Sequence, residues 1–209
     1  RLPLRPVPQQ AALGLQGSVI GGAPTPREGG KAAVGMVHAR RVQALRKGSL
    51  HTEDLMHAIV APGAGLCTQR RISHVFIIAT ARYDDLLFVT DAAINIAPDL
   101  MAKRDIVQNA IDLHVGLGLG APRVAVLSAV ETLNPRIQGT IDAACLCKMA
   151  ERGQITGGLL DGPLAMDNAV DPEAARIKGI VSPVAGRAQI LVAPDLEAGN
   201  MLAKNLIYM

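Results

Sequence analysis

Apolar runs of strand length alternate with amphipathic helical stretches along most of this chain, and that alternation constrains the fold more than any single motif does. Two runs, "HVFIIAT" and "LLFVTDAA", are joined by "ARYDD" in hairpin fashion. After them come a helical "LMAKRDIVQNAIDLHVGLG", a strand "RVAVLS", a helix "TIDAACLCKMAERG", a strand "ITGGLLDG", a helix "DPEAARIKG" and a strand "AQILVAPD" leading into a last helix. Strands separated by helices predict a mostly parallel α/β sheet with right-handed crossovers. The core must be aliphatic, because hydrophobic residues make up 49% of the chain while aromatic residues make up 2%. Such residues suit strands covered on both faces.

Upstream, "KAAVGMVHARRV" from Lys31 has helical spacing and leads into a short apolar "VQAL", read as a first strand. The loop "RKGSLHTEDLM" follows, where Ser49 or Thr52 starts a helix with Glu53 and Asp54 in its first turn. Residues 1 to 30 are rich in Pro, Gly and Gln without a period and read as a tail that adds little core. A first residue Arg1 and a helical pattern still running at "NLIYM" make both ends read as cut or processed.

In parallel sheets, ligands bind beyond the carboxyl ends of the strands. Those ends supply Lys47, Gly48, Ser49, His51 and Thr52, then Asp91 and Asn95, Ser128 and Glu131, Asp161 and Gly162, and finally Asp195, Glu197, Gly199 and Asn200. They are expected to converge on one crest. Ser182 precedes the last strand and reaches that crest only if "SPVAG" folds back. Asp161, at a strand end with Asp167 in the loop beyond it, suits a general base or a group that orients a substrate, and both also suit helix caps. Gly199 would let backbone approach a ligand closely, and Asn200, at the start of the last helix, would contact the ligand or cap that helix. "KGSLHT" combines a lysine, hydroxyls and a helix N-terminus as a phosphate cradle would, though an ordinary capped loop looks the same. "GLGLG" precedes a strand instead of following one, so it reads as a helix C-cap and not as a dinucleotide fingerprint. Arg70 and Arg71 read as a solvated pair or a diphosphate contact, and His74 as a strand-edge histidine.

A formal charge of +3, from 21 basic and 18 acidic residues spread along the chain, argues against a nucleic-acid binder. No run approaches the roughly 18 apolar residues of a membrane span, and "RLPLRPVPQQ" lacks the apolar centre of a secretory signal. Three cysteines, with Cys145 and Cys147 inside a helical pattern, read as reduced cytoplasmic thiols and not as metal ligands.

The segments "KGSLHTEDLM", "RRISHVFII", "LLFVTDAAINIAPDL", "PRVAVLSAVETLNPRIQGTIDAACLCKMAERGQI", "GGLLDGPLAMDNAV" and "KGIVSPVAGRAQILVAPDLEAGNMLAKNL" occur in order. This series resembles the phosphate acetyltransferase and phosphate butyryltransferase family, which exchanges an acyl group between coenzyme A and inorganic phosphate. The phrases "TDAAINIAP", "NPRIQGT" and "DGPLAMDNA" are most similar to the butyryltransferase-like branch, which includes proteins fused to an enoyl-CoA hydratase-like module. The resemblance implies a two-domain, mostly parallel α/β fold of the isocitrate and isopropylmalate dehydrogenase type, lacking N- and C-terminal parts in this chain. Residues 1–40 would be a remnant of the first domain and residues 41–209 the acyltransferase region with its inserted second domain. It further implies a cytoplasmic homodimer with no metal and no permanently bound cofactor, using acyl-CoA and phosphate as substrates. In the family's mechanism a carboxylate helps deprotonate the thiol, the thiolate attacks the acyl phosphate carbonyl, and arginine and serine groups hold the phosphate. The family also carries a later strand ending in a Ser-Arg pair, which lies beyond this chain.

On this reading Asp161, Ser128 and Asn200 are the catalytic candidates. Lys47, Gly48, Ser49, His51, Thr52, Asp91, Asn95, Glu131, Ser182, Asp195 and Gly199 are the substrate-binding ones. Two other functions compete: an acyl-CoA-binding or regulatory domain of the same kind without turnover, and a decarboxylating dehydrogenase. The second lacks a cluster of metal-binding aspartates and a nicotinamide signature.

Overall fold

The computed structural model describes residues 25–48, 50–63 and 65–208, and the chain divides into two units after Cys67. In the first unit, helix α1 spans Pro26–His38 and α2 spans Thr52–Ile59. Helix α1 begins before Lys31, inside the expected tail, because Thr25 accepts the backbone N–H of Glu28 through Oγ1 and Pro26 occupies the first turn. The two helices pack closely at Gly30, where an added Cβ would lie 3.3 Å from Ala58 Cβ. The expected strand at "VQAL" is absent, and those residues form no regular element. A short run bounded by Arg40 and Arg41 on one side and Arg46 and Lys47 on the other finds no partner strand among the described residues. "KGSLHT" is therefore not a strand-end loop. Its Ser49 lies outside the described residues, as do residues 1–24.

The second unit is built on five strands: β1 (Val75–Thr80), β2 (Tyr83–Thr90), β3 (Arg123–Leu127), β4 (Leu159–Leu164) and β5 (Ile190–Val192). Their order across the sheet is β1-β2-β5-β3-β4. The β1-β2 hairpin is antiparallel and the other pairings are parallel, as the strand and helix alternation predicts. Side chains alternate between two apolar faces. Phe88, Val124, Val126, Ile190 and Val192 point to one face with α3 (Leu100–Gly116) and α4 (Gln138–Glu151). Leu87, Val89, Ala125, Leu127 and Leu191 point to the other with α5 (Met166–Val170), α6 (Pro172–Ile177) and α7 (Leu196–Tyr208). Each fully buried Leu, Ile, Val or Phe stabilises this stack by about 1.5–3 kcal/mol. Among the described residues, no helix is long and apolar enough to cross a membrane.

Two local readings change. The strand β4 continues through Asp161, Gly162 and Pro163 to Leu164, so Asp161 lies inside the strand, opposite Ala125, and not at its end. Proline is tolerated here because β4 is an edge strand and the missing N–H is not needed by a neighbour. One extra β4 residue between the pairs Ala125–Asp161 and Leu127–Leu164 makes a bulge. Asp167, expected in a loop, sits in the first turn of α5. At the other end, "GLGLG" closes α3 as expected, with Gly118 and Gly120 at φ of 78° and 79° and His114 Nδ1 bonded to the Gly120 carbonyl.

Candidate functional site

At the crest, a pocket of about 540 Å³ is lined by the loop that follows β2, the N-terminal parts of α3 and α4, and the loop that follows β5. Ala97, Pro98, Leu100, Ile141, Cys145 and Pro194 give it apolar walls. Beneath them, Lys103 Nζ donates to Asp142 Oδ2 at 2.6 Å, and the two side chains are only 7% and 6% exposed. Gln138 Nε2 donates to the other oxygen, Asp142 Oδ1, at 2.8 Å. Removing two charges from water costs several kcal/mol per ion, so such a pair is poor evidence of a purely stabilising role. Sequence reading missed all three residues. The available signal was a charge inside an apolar stripe: Lys103 shares its helical face with Val107, Ala110, Ile111 and His114, all buried.

Above the pair, α4 starts without a side-chain cap, because Ile137 occupies that position. The N–H groups of Gln138 and Gly139 find no acceptor among the described residues. Ser128, at the end of β3, is half-buried, and its Oγ makes no hydrogen bond among the described residues. That oxygen lies 3.4 Å from where a Cβ on Gly139 would stand. Free N–H donors and a free hydroxyl therefore sit together beside the pocket. Asp195 lines the pocket and caps α7, accepting the Ala198 N–H through Oδ1 at 2.9 Å. Asp99 does the same for α3, accepting from Ala102 at 2.8 Å.

Residues 27–209 match the family described as phosphate acetyl/butaryl transferase. The chain belongs to that family. It is 69% identical over 177 residues to a phosphate acetyltransferase of Rhizobium meliloti, covering 85% of this chain and 56% of that protein. It is 42% identical over 176 residues to a phosphate butyryltransferase of Clostridium acetobutylicum, covering 84% and 58%. Among solved structures, a branched-chain phosphotransacylase from Enterococcus faecalis V583 superposes with a TM-score of 0.77 at 30% identity, covering 88% of this chain and 66% of that one. The chain thus spans about half the length of the curated relatives it matches, 56% and 52% for two of them.

Within this family member, several expected site residues are occupied by the protein itself. Asp91 is buried, and its Oδ1 accepts the N–H groups of Ala93 and Ile94 at 2.9 and 3.0 Å. Its Oδ2 accepts from the backbone and the side chain of Asn95 at 3.3 and 2.5 Å. Asn95 Nδ2 also donates to the Ile72 carbonyl. These two residues shape the loop after β2. Gly199 admits backbone closely, but the backbone is that of Asp91, whose carbonyl oxygen lies 2.5 Å from an added Cβ, and not that of a ligand. Asn200 neither starts nor caps α7, since Asp195 caps it and the helix begins at Leu196. Asn200 Nδ2 instead donates to the Ala92 carbonyl at 2.9 Å, tying α7 to the same loop.

At the β3 and β4 side of the crest, Glu131 Oε1 accepts from Asn168 Nδ2 at 2.6 Å and from Lys178 Nζ. Lys178 also pairs with Asp167 at 3.3 Å. The Lys178 ammonium holds the Glu131 carboxyl below its ordinary range, and Glu131 raises Lys178 in turn. Ser182 Oγ accepts from Val184 and Ala185 and so folds its own turn. The following Gly186, at φ 79°, packs on Pro172 and donates to the Asn168 carbonyl, which docks "SPVAG" on α5 and α6. Ser182 does not line the crest pocket. Asp161 Oδ1 accepts its neighbour's Gly162 N–H. Burial, then the Asp161 charge, push the nearby Cys147 thiol up to about 12.

In the first unit, Lys47 Nζ donates to the Leu50 carbonyl, and His51 takes the N-cap position of α2 without a side-chain cap bond. Thr52 is the first helical residue, and Gly48 has open space around it. Glu197 is exposed in the first turn of α7. Arg70 pairs with Asp112, while Arg71 reaches Asn95 only at 3.5 Å. His74 packs edge-on against Phe76, and burial lowers its pKa. No group of three His, Cys, Asp or Glu side chains suited to a metal occurs among the described residues.

Proposed function

We propose that this chain carries the acyl exchange of its family, acyl-CoA plus phosphate giving acyl phosphate plus free coenzyme A, with acetyl or butyryl as the acyl group. The observation that carries this reading is the 69% identity to a phosphate acetyltransferase over 85% of the chain, and the family match over residues 27–209 includes the crest pocket. In the reverse direction, the coenzyme A thiolate attacks the acyl phosphate carbonyl carbon, the bond between that carbon and the bridging oxygen breaks, and phosphate leaves with that oxygen and the electron pair. Ser128 and the free N–H groups of Gln138 and Gly139 suit the phosphate and the oxyanion that forms on the way. The thiol proton needs a carboxylate. Asp195 is the better candidate, because it lines the pocket, whereas Asp161 lies inside β4 and outside that lining. A thiol with a pKa near 8.5 needs only modest help to ionise. Asn200 serves as a positioning residue through Ala92.

The proposal extends to the two-domain arrangement of the isocitrate and isopropylmalate dehydrogenase type and to a homodimer, with an enoyl-CoA hydratase-like module attached in some relatives of this branch. Three free cysteines support a reducing, cytoplasmic setting. The test is release of free thiol from acetyl-CoA and butyryl-CoA by the full chain. Release that requires both phosphate and protein is the expected result. Binding of acyl-CoA without phosphate-dependent release would overturn it in favour of a non-catalytic acyl-CoA-binding domain.

A further inference from the structure

The loop that joins β3 to α4 carries the groups assigned above to phosphate, with Ser128 at one end and the N–H groups of Gln138 and Gly139 at the other. Both ends are anchored. The Ser128 N–H donates to the Leu164 carbonyl at 2.9 Å. At the far end the Asn134 N–H donates to Oγ1 of the fully buried Thr140, which donates back to the Asn134 carbonyl, both at 3.0 Å. Between these anchors the chain is largely exposed, Leu133 by 60%, and Glu131 ties it down by accepting from Asn168 Nδ2 at 2.6 Å and from Lys178 Nζ.

Asn168 is the unusual member of this contact. It is 0% exposed, and its Oδ1 has no hydrogen-bond partner among the described residues. A buried acceptor without a partner is costly, and an apolar side chain of the same shape would avoid the cost. Turning the amide over gives no relief, because Oδ1 would then face the Glu131 carboxylate. The side chain is therefore kept for what Nδ2 does. Its backbone is fixed as well: the Asn168 carbonyl accepts from Gly186 at 2.8 Å and the Ala169 carbonyl from Ala188 at 3.1 Å. Helix α5 starts just beyond Leu164, so Asn168 and Ser128 are held against the same stretch of chain.

We propose that Asn168 is a positioning residue for phosphate, which through Glu131 holds the loop after β3 so that Ser128 Oγ and the N–H groups of Gln138 and Gly139 face one anion. It touches no substrate itself. The phosphate role of those groups rests on the acyl-exchange reading. The hold on the loop rests on the contacts alone.

Steady-state thiol release by the full chain separates this role from plain stabilisation. A destabilised variant has less active protein and a lower Vmax, whereas a misplaced anion site raises the KM for phosphate. Glu131→Ala, in a half-buried surface loop, should raise the phosphate KM roughly tenfold to a hundredfold and leave the KM for acetyl-CoA unchanged. Asn168→Asp is the sharper variant, since it keeps the shape and sets a carboxylate oxygen where Nδ2 now donates. Two carboxylates that close repel until they share a proton, and Lys178, which also pairs with Asp167, sets how far the pH must fall. Relative to the parent at the same pH, the phosphate KM of Asn168→Asp should be raised near about pH 8 and return as the pH falls towards about 5. Hydrogen exchange over the segment from Ala129 to Leu133, read by mass spectrometry, reports the loop without turnover and should quicken roughly tenfold in Glu131→Ala. A phosphate KM at the parental value in both variants, at every pH, overturns the positioning role and leaves acyl exchange intact. Faster exchange in a chain that releases no thiol does the opposite: it sinks the acyl-exchange reading and leaves the hold on the loop standing.

Discussion

Replacing Gly199 by Ala sets two known effects against each other. Gly199 is an interior residue of α7, where Ala is normally better by roughly 0.5–1 kcal/mol. Its Cβ, however, would lie 2.5 Å from the Asp91 carbonyl oxygen, 3.1 Å from Ala193 Cβ and 3.3 Å from Ala92 Cα. Favourable contacts begin near 3.5 Å, so the carbonyl must retreat by about an ångström. It has little room, because the Asp91 carboxylate is bonded to Ala93, Ile94 and Asn95 and the next carbonyl, Ala92, is held by Asn200. Overpacking costs about 1–3 kcal/mol, and breaking the Asn200 bond adds about 1 kcal/mol. After the gain in helix propensity the net loss is about 2 kcal/mol, or a fall in Tm of roughly 4–8 °C for a domain of this size. Thermal unfolding followed by circular dichroism measures it. Gly116→Ala is the control, since that glycine ends α3 with nothing within 4 Å of an added Cβ, and it should leave Tm unchanged or raise it. A rise in Tm for Gly199→Ala equal to that of the control would refute the close approach of α7 to the β2 loop.

Three further outcomes are expected. Ser128→Ala should leave Tm within error, because Oγ has no hydrogen bond to lose, while phosphate-dependent thiol release falls roughly a hundredfold to a thousandfold; an unchanged rate removes Ser128 from the site. Asn200→Asp should destabilise by about 1–3 kcal/mol in denaturant titration, because a carboxylate would face the Ala92 carbonyl where an N–H now donates; a simple capping role predicts no change. Lowering the pH should remove the stabilisation from Glu131. Its folded pKa is depressed by Lys178, so the contribution is present above the ordinary carboxylate pKa and is lost as pH falls through the lowered value. Denaturant midpoints between about pH 6 and pH 3 should fall less steeply in Lys178→Met than in the parent, and identical slopes would contradict this.

The sheet was legible in the sequence because strand and helix periodicities differ and most elements of the second unit satisfy one of them along their length. What failed were features decided by partners distant in sequence. "VQAL" has strand residues but no neighbour to pair with. Asp161 and Gly162 read as a strand end, yet edge position allows β4 to run through them to Leu164. The purpose of Gly199 depends on Asp91, and the meaning of Asn200 on Ala92, across more than a hundred residues in each case (108 for the latter). The Lys103–Asp142 pair joins two helices, and neither helix alone indicates which opposite charge would meet it. Ser128 and Asp195 were found because strand ends can be read locally, and both lie at the crest.

The central position of β5 has a consequence for how the chain comes together. Ile190 pairs with Phe88 on one side and Val124 on the other, so a strand made about 100 residues after β2 joins two half-sheets made earlier. Until it arrives, β2 and β3 each present an unpaired inner edge rich in Phe, Val and Leu, the kind of edge on which chains associate with one another. Closing a gap of roughly 100 residues between Phe88 and Ile190 makes assembly dependent on a late, non-local step. Nascent chains halted before Gln189 should accordingly need chaperone shielding that chains extended past α7 do not.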